Sequence, residues 1–143
     1  MRLSTKSRYG TRAMVEIARS YPGSQATRRD IAERQQIPDS YLENILASLR
    51  EAGLIITSRG AGGGCRLARH PGKITVLDIV AALDGPVMPV PCIGEAGVCS
   101  RKLGCTTRHI WKELHTAMEA VLARHTLEHL LQQERQGCMD FVI

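Results

Sequence analysis

The chain has 143 residues, a formal net charge of +5, and only one phenylalanine and one tryptophan among its 43% hydrophobic residues. This length allows one compact domain, or a small domain with an extension. The aliphatic core of such a domain is modest, and dimerisation would add to its stability. No apolar run approaches the about 20 residues of a membrane span, and the start MRLSTKSRYG lacks a signal-peptide segment. We therefore expect a cytoplasmic protein without a membrane segment, in which the odd count of five cysteines argues against a disulfide framework.

The positive charge lies in one part of the chain. Residues 1–91 carry thirteen Lys and Arg against eight Asp and Glu, whereas residues 92–143 carry six of each sign. A surplus confined to one part is expected where that part meets a polyanion. A solvated basic surface gives the same balance, so charge alone does not decide.

Three helices are predicted within the first fifty residues, the first over about 7–20. Thr27 and Asp30 are typical of a capping box that opens a second helix, and Ser40 and Glu43 of another that opens a third. Helix, turn and capped helix in this register predict a helix-turn-helix. The buried stripe of the third helix is predicted to be Leu42, Ile45, Leu46 and Leu49.

A β-hairpin is predicted next. Residues 54–58 are largely β-branched, residues 59–64 are rich in glycine, and residues 65–68 form a second strand. This hairpin is typical of the wing of a winged helix. Its glycines do not indicate a nucleotide-binding loop, because no Lys-Ser/Thr follows. Thr75 and Asp78 then cap a fourth helix.

The last part of the chain is predicted to be a linker and a long helix. Residues 85–91 contain three prolines and form the linker, and apolar residues recur at steps of three and four over about 106–125. That stripe suits pairing with a second copy or packing on its own domain. We favour the dimer, because the linker carries the helix away from the winged helix. A short helix over 126–131 and an irregular tail after Arg135 complete the prediction.

Candidate DNA contacts lie on the third helix and the hairpin. Asn pairs with adenine and Glu accepts from cytosine, so Asn44 and Glu43 are candidates for reading bases, although Glu43 can serve only as a cap. Arg59, at the hairpin tip, is placed to enter a narrow minor groove or to contact a phosphate. The predicted DNA-binding residues are Arg2, Ser40, Tyr41, Glu43, Asn44 and Arg59.

Three cysteines, Cys92, Cys99 and Cys105, share one glycine-containing segment with the spacing C-x6-C-x5-C. Zinc sites usually pair cysteines as C-x2-4-C, which neither spacing does. Iron–sulfur clusters accept wider ligand spacing, so we predict that such a cluster holds the segment together. The alternative is a cluster-free regulator whose thiols sense oxidants directly.

Four parts of the sequence resemble the winged-helix regulators that include IscR and NsrR: MRLSTKSRYG, YLENILASLREAGLI, RGAGGGCRLAR and the cysteine segment. The resemblance covers residues 1–131, and its combination of wing and three cysteines is specific. It implies a homodimer with crossing long helices, a palindromic operator in double-stranded DNA and, in many members, an iron–sulfur cluster whose state sets DNA affinity. By this resemblance Cys92, Cys99 and Cys105 are cluster ligands.

The fourth ligand stays open. IscR-like proteins have a histidine three residues after the third cysteine, where this chain has Arg108, which cannot ligate iron. NsrR-like proteins can take an acidic ligand from the partner's first helix, where this chain has residues 6–8, Lys-Ser-Arg. Because the IscR-type histidine is displaced, 4Fe–4S is favoured over 2Fe–2S. The remaining candidates are a partner residue, a small molecule, His109, Glu95 and Cys138.

Cys65 stands where family wings usually carry a tyrosine, and we expect a buried thiol that fills this space, with a redox role as the alternative.

The sequence thus predicts a mainly α fold with a small β-hairpin: a winged helix-turn-helix domain over 1–85, a linker and cysteine segment over 86–105, and a dimerisation helix and tail over 106–143. Its predicted function is transcription regulation by a homodimer, with operator affinity set by a cluster that senses redox state, nitric oxide or iron–sulfur supply. An iron–sulfur carrier or electron-transfer protein is disfavoured by the complete winged helix. No catalytic pair stands at a recognisable spacing, so an enzyme is not expected.

Overall fold

The computed structural model describes residues 3–94, 99–101 and 104–140, and within these ranges it contains seven helices and one two-stranded antiparallel sheet. In chain order they are α1 (Thr5–Arg19), α2 (Arg28–Gln35), α3 (Asp39–Glu51), β1 (Ile55–Ser58), β2 (Gly64–Leu67), a 3-10 turn (Pro71–Lys73), α4 (Val76–Asp84), α5 (Pro91–Gly94), α6 (Arg108–Arg124) and α7 (Leu127–Asp140).

Helices α1 to α4 enclose one apolar core. The predicted stripe of α3 faces this core, and Leu42, Ile45 and Leu49 are fully buried. Gly10 of α1 lies against Leu83 of α4, where a β-carbon would overlap the leucine side chain, so these two helices approach closely. Burial of each large aliphatic side chain is worth about 1.5–3 kcal/mol, which makes this core the main source of stability. We call α1–α4 with the hairpin the body.

The hairpin is anchored to the segment before α2. Strands β1 and β2 pair from Ile55–Leu67 to Ser58–Gly64. The backbone of Cys65 exchanges two further hydrogen bonds with Ala26, of 2.9 and 2.8 Å. Strand β2 is therefore held on both sides, by β1 and by Ala26, and residues 59–63 form the tip between the two strands.

Helix α6 differs from the other helices of eight or more residues, because none of its 17 residues, all described by the structure, is buried. Its C-terminal end is tied to the body: the Val76 amide donates to the His125 carbonyl at 2.8 Å, and the Leu127 amide donates to the Ile74 carbonyl at 3.0 Å. Leu127 is fully buried, and α7 packs on α1 and on the 3-10 turn. The chain thus leaves the body at the linker and returns to it at α7.

The predicted fold class is confirmed, as are the helix-turn-helix, the hairpin and the Thr75–Asp78 capping box. The second predicted capping box is wrong. Helix α3 begins at Asp39, and the carbonyl of Pro38, in the N-cap position, accepts from the Leu42 amide at 2.9 Å. Ser40 therefore lies inside the first turn, and Glu43 is too far along the helix to complete a box.

Two other predicted details need correction. Thr27 caps α2 through the Asp30 amide at 3.1 Å, but the Asp30 carboxylate accepts from the Thr27 hydroxyl, at 2.6 Å, in place of the Thr27 amide. The predicted irregular tail is also wrong, because α7 continues to Asp140. The residues QQERQ at 132–136 are good helix formers, and Gly137 does not end the helix.

Candidate nucleic-acid interface and cysteine segment

The predicted base-reading residues share the surface of α3. Ser40, Glu43 and Asn44 are exposed, and Asn44 Nδ2 donates to the Ser40 carbonyl at 3.2 Å. Tyr41 is half-buried, and its ring meets that of Tyr9 edge to face with centroids 5.8 Å apart. Packing thus fixes the tyrosine ring, while the shorter polar side chains beside it stay available for a ligand.

A groove of about 650 Å³ lies between α3 and the wing. Arg28, Arg50 and Arg59 line it together with Glu43. When a recognition helix enters the major groove and a wing reaches the neighbouring minor groove, the phosphate backbone between the two grooves passes between helix and wing. Guanidinium groups bind phosphates in a forked, two-bond geometry, so this lining suits a nucleic-acid strand.

The sequence reasoning did not identify two of these arginines, Arg28 and Arg50. Their only signal was the surplus of basic residues in the first part of the chain. Arg28 bridges two acidic side chains of α3, with Nε 3.0 Å from Asp39 Oδ1 and Nη1 3.4 Å from Glu43 Oε1. All three side chains are exposed, so the pairs add little stability, but they neutralise carboxylates that would repel phosphates.

Helix α1 adds basic groups to the same surface. Lys6 Nζ donates to Ser48 Oγ of α3 at 3.0 Å, and Arg8 is exposed. The Arg12 guanidinium lies 5.5 Å from the centre of the Tyr9 ring. Arg2, a predicted DNA contact, lies outside the described residues.

Behind this surface, a buried carboxylate joins three helices. Glu16 of α1 is 3% exposed and accepts from Arg34 Nη1 and Gln35 Nε2 of α2, each at 2.9 Å. Arg19 binds both Glu16 and Glu134 of α7, and the hydrogen bond with Glu134 is the main reason that the pKa of Arg19 is raised. This network fixes α2 against α1 and α7, and it was not predicted.

The three cysteines of the segment lie at separate points of the backbone. Cys92 is in α5, Cys99 follows an undescribed stretch, and Cys105 precedes α6; each is half-buried and carries a free thiol. Cys105 Sγ lies 3.4 Å from the Thr107 hydroxyl, and this hydrogen bond is the first cause of the lowered pKa of the Cys105 thiol. The segment therefore presents three half-buried free thiols, and the contact with Thr107 favours the thiolate form of Cys105.

Arg108 connects the two ends of this segment. Its Nη1 donates to the Cys92 carbonyl at 2.7 Å, and its backbone amide donates to the Cys105 carbonyl at 3.3 Å. Helix α5 packs on α6 beside these bonds.

The donor chemistry of the segment fits an iron–sulfur cluster, since cysteine thiolates are its usual ligands. Among the described residues, however, no group of three or more His, Cys, Asp or Glu is arranged as a metal site. The thiols are thus supplied but not preassembled. His109 is exposed with Nδ1 2.7 Å from the Thr106 carbonyl, an arrangement that leaves Nε2 available. Glu95 and the side chain of Cys138, the other candidates, lie outside the described residues.

Cys65 belongs to the core. It is 4% exposed, and burial raises the pKa of its thiol. A buried, protonated thiol packs as a small apolar group and reacts slowly, in agreement with the expectation that it fills space beneath the wing.

A helix-turn-helix, a wing and arginines lining the groove between them define a winged-helix DNA-binding protein. The chain matches, over residues 3–133, the model of the Rrf2 family, described as an iron-dependent transcriptional regulator. It therefore belongs to the Rrf2 family of DNA-binding transcriptional regulators, and the expectation that it is not an enzyme agrees with this membership.

Relatives and solved structures support the same assignment. Protein rrf2 of Nitratidesulfovibrio vulgaris is 42% identical over 132 residues, covering 92% of this chain and 88% of that protein. CymR, the global cysteine regulator of B. subtilis, superposes with a TM-score of 0.79 at 33% identity, covering 93% of this chain and 98% of that one. T. potens IscR gives a TM-score of 0.78 at 33% identity, covering 96% and 90%. In the described part of the chain, no helix has the length and apolarity needed to cross a membrane.

Proposed function

We propose that this chain is a homodimeric regulator whose affinity for a palindromic operator is set by an iron–sulfur cluster held by Cys92, Cys99 and Cys105. One observation carries the proposal: the three accessible thiols occupy the chain segment that joins the body to α6. A bound cluster would supply a cationic centre that neutralises thiolates which otherwise repel one another. Redox state, nitric oxide or iron–sulfur supply is the proposed signal, and 4Fe–4S is favoured over 2Fe–2S.

The uncovered face of α6 supports the dimer. Ile110, Leu114 and Val121 are 48%, 43% and 47% exposed. Beside them is a shallow cavity of about 290 Å³ lined by apolar side chains, including Leu3, Met118 and Val121. Apolar surface of this kind marks an interface, and the same face on a second copy is complementary in character.

Two-fold symmetry gives the operator its palindrome, because each α3 meets an equivalent half-site. We assign base reading to Asn44 and Glu43 and groove insertion to Arg59, with Ser40 and Tyr41 beside them. Arg28 and Arg50 are proposed to hold the phosphate strand between α3 and the wing. A cluster bound to Cys92, Cys99 and Cys105 would then fix how α6, and with it the second copy, stands relative to each α3.

The proposal is tested by anaerobic reconstitution followed by iron and sulfide counting on single Cys→Ala variants. We expect Cys92→Ala, Cys99→Ala and Cys105→Ala each to lose the cluster. Cys65→Ala, a buried thiol outside the segment, is the matched control and should keep it. Full occupancy in Cys99→Ala, or equal operator affinity with and without the cluster, would contradict the proposal.

The lowered pKa of Cys105 favours a second candidate, in which the thiols of a cluster-free dimer respond directly to oxidants. This alternative predicts that purified, iron-free protein changes its operator affinity on treatment with diamide and recovers it with dithiothreitol. The cluster proposal predicts that only loading with iron and sulfide changes the affinity.

A further inference from the structure

Arg108 stands at the position where the resemblance places a histidine ligand, yet its contacts suit a different task. The guanidinium binds the carbonyl of Cys92, 16 positions earlier, at 2.7 Å. The amide of the same residue binds the carbonyl of Cys105 at 3.3 Å. One residue in the first turn of α6 therefore ties down the backbone at both the first and the third cysteine.

A second polar contact joins the linker to α6 further along the helix. His115 Nδ1 lies 2.8 Å from the Val87 carbonyl, so the linker follows α6 before it reaches α5. Lys112, one turn beyond Arg108, is exposed. A charged donor makes a stronger hydrogen bond than a neutral one, so the bond from Arg108 outweighs the neutral bonds around it.

We propose that Arg108 is the positioning residue of the cysteine segment: it holds Cys92 and Cys105 within reach of one bound group by binding the backbone at both, and does not itself act as a ligand. This inference rests on the proposed function in treating the cysteines as one site. The bonds from Arg108 are made to the carbonyl oxygens of Cys92 and Cys105, so they need no fourth metal bond.

The test measures the proximity of the two thiols without any cluster. In the full chain carrying Cys65→Ala, Cys99→Ala and Cys138→Ala, only Cys92 and Cys105 remain. A short bismaleimide reports their approach as an intramolecular cross-link, measured by mass spectrometry. A monofunctional maleimide on the same protein reports the intrinsic reactivity of each thiol. The ratio of the two rates isolates proximity from thiol acidity.

We expect Arg108→Ala to lower this ratio roughly fivefold, the factor by which one lost hydrogen bond shifts an equilibrium between closed and open segments. Lys112→Ala removes the same charge one turn away and should leave the ratio unchanged. Circular dichroism checks that both variants keep their helices. An unchanged ratio in Arg108→Ala, or an equal fall in Lys112→Ala, would overturn the proposal.

Reconstitution of the otherwise native chain separates this inference from the proposed function. If wild-type protein binds iron and sulfide and Arg108→Ala loses them faster to a chelator, both stand. If the cross-linking ratio falls in Arg108→Ala but wild-type protein binds neither iron nor sulfide, the positioning role stands and the cluster function fails. If Arg108→Ala retains its cluster as long as wild-type protein does, the positioning role is overturned while the cluster function stands.

Discussion

Helices α3 and α6 carry similar apolar stripes and use them differently. Helix α3 buries Leu42, Ile45, Leu46 and Leu49 in the body. Helix α6 repeats isoleucine and leucine at comparable steps, but of its seventeen described residues none is buried. Both sequences have the period of an amphipathic helix. The period shows which residues share a face, whereas the packing of the rest of the chain decides whether that face is buried within the same molecule.

The two helices also differ in how they are fixed. Helix α3 is held by its buried stripe in the core and by the turn at Pro38, whose carbonyl accepts from the Tyr41 and Leu42 amides. Helix α6 is tied at its beginning through Arg108 and at its end through His125. The exposed surface of α3 therefore belongs to a single folded body, while α6 is placed by contacts along its length: Arg108 near its start, His115 with the Val87 carbonyl in its middle, packing on α4, and His125 at its end.

The largest loss of free energy should come from a substitution in the buried stripe of α3. Leu42→Ala removes a fully buried side chain of α3 and should lower the free energy of unfolding by about 2–5 kcal/mol. Urea unfolding followed by circular dichroism measures it. Ile56→Ala, at a side chain that is 41% exposed on the wing, is the control and should cost far less. Equal losses in the two variants would mean that α3 is not a core helix.

Replacement of an apolar side chain on α6 should separate the two subunits and leave the body of each subunit folded. Leu114→Asp places a charge in the proposed interface and should cost about 2–4 kcal/mol of dimerisation, because it would be buried without a partner. Sedimentation velocity across a concentration series gives the association constant. Lys112→Asp, on an exposed position of the same helix, serves as the control. The dimer would be ruled out if wild-type protein sedimented as a monomer at every concentration.

Loss of one arginine from the proposed DNA surface should have a smaller effect than loss of the Leu42 or Leu114 side chain. Arg59→Ala should weaken operator binding by about 1–3 kcal/mol if its side chain enters a groove or contacts a base. Arg135→Ala, an exposed arginine on α7, removes the same charge far along the chain and should change little. Fluorescence anisotropy at fixed salt measures both, since phosphate contacts make affinity salt-dependent. Full affinity in Arg59→Ala would remove the wing tip from the interface.

The smallest effect concerns the start of α1. Ser4 binds the Asp84 carboxylate through its hydroxyl at 2.5 Å and its amide at 3.2 Å. Burial raises the pKa of Asp84, but the hydrogen bonds from Ser4, the Ser7 hydroxyl and the charge of Lys6 together outweigh it, so the net pKa is lowered. The contact therefore stabilises the fold above the unfolded-state pKa of about 3.9 and is lost as pH falls through the lower, folded-state value.

Because Asp84 is exposed, we expect this contribution to be only a few tenths of a kcal/mol. Asp84→Asn should reduce the unfolding free energy slightly at pH 7 and flatten its decline toward acid pH. Urea midpoints at several pH values between 2 and 7 measure the difference. An acid limb as steep in Asp84→Asn as in the wild type would show that other carboxylates account for it.

The body could be predicted well from the sequence because its signals are local. The stripe of α3, the glycine tip of the wing and the Thr75–Asp78 box each fall within a few residues. The Ser40–Glu43 box failed because α3 begins two residues earlier than predicted, with Pro38 in the N-cap position. Local patterns alone do not rank two competing helix starts.

The contacts that join distant parts of the chain carried no such signal. Glu16 meets Arg34 across 18 positions, and Arg19 meets Glu134 across 115. From the sequence, Arg108 was considered only as a ligand and excluded, because arginine cannot ligate iron. Its bond to the Cys92 carbonyl depends on α5, a helix of four residues that is too short to show a periodic pattern in the sequence. For the candidate site, the sequence therefore indicated the thiols, and the structure revealed the residue beside them.

The anchoring of α6 by His125 and Leu127 has a mechanical consequence. Helix α6 has 17 residues and is about 25 Å long, and its C-terminal end is joined to the body. A small tilt at that end therefore becomes a larger displacement at the N-terminal end, beside the cysteines. A tilt of about 10° at the C-terminal end displaces the cysteine end by about 4 Å. In a two-fold assembly both copies of α6 would tilt together, so the recognition helices would move apart or together by a matching amount. Half-sites lie one DNA turn, about 34 Å, apart, and a mismatch of several ångströms is enough to take one helix out of its groove.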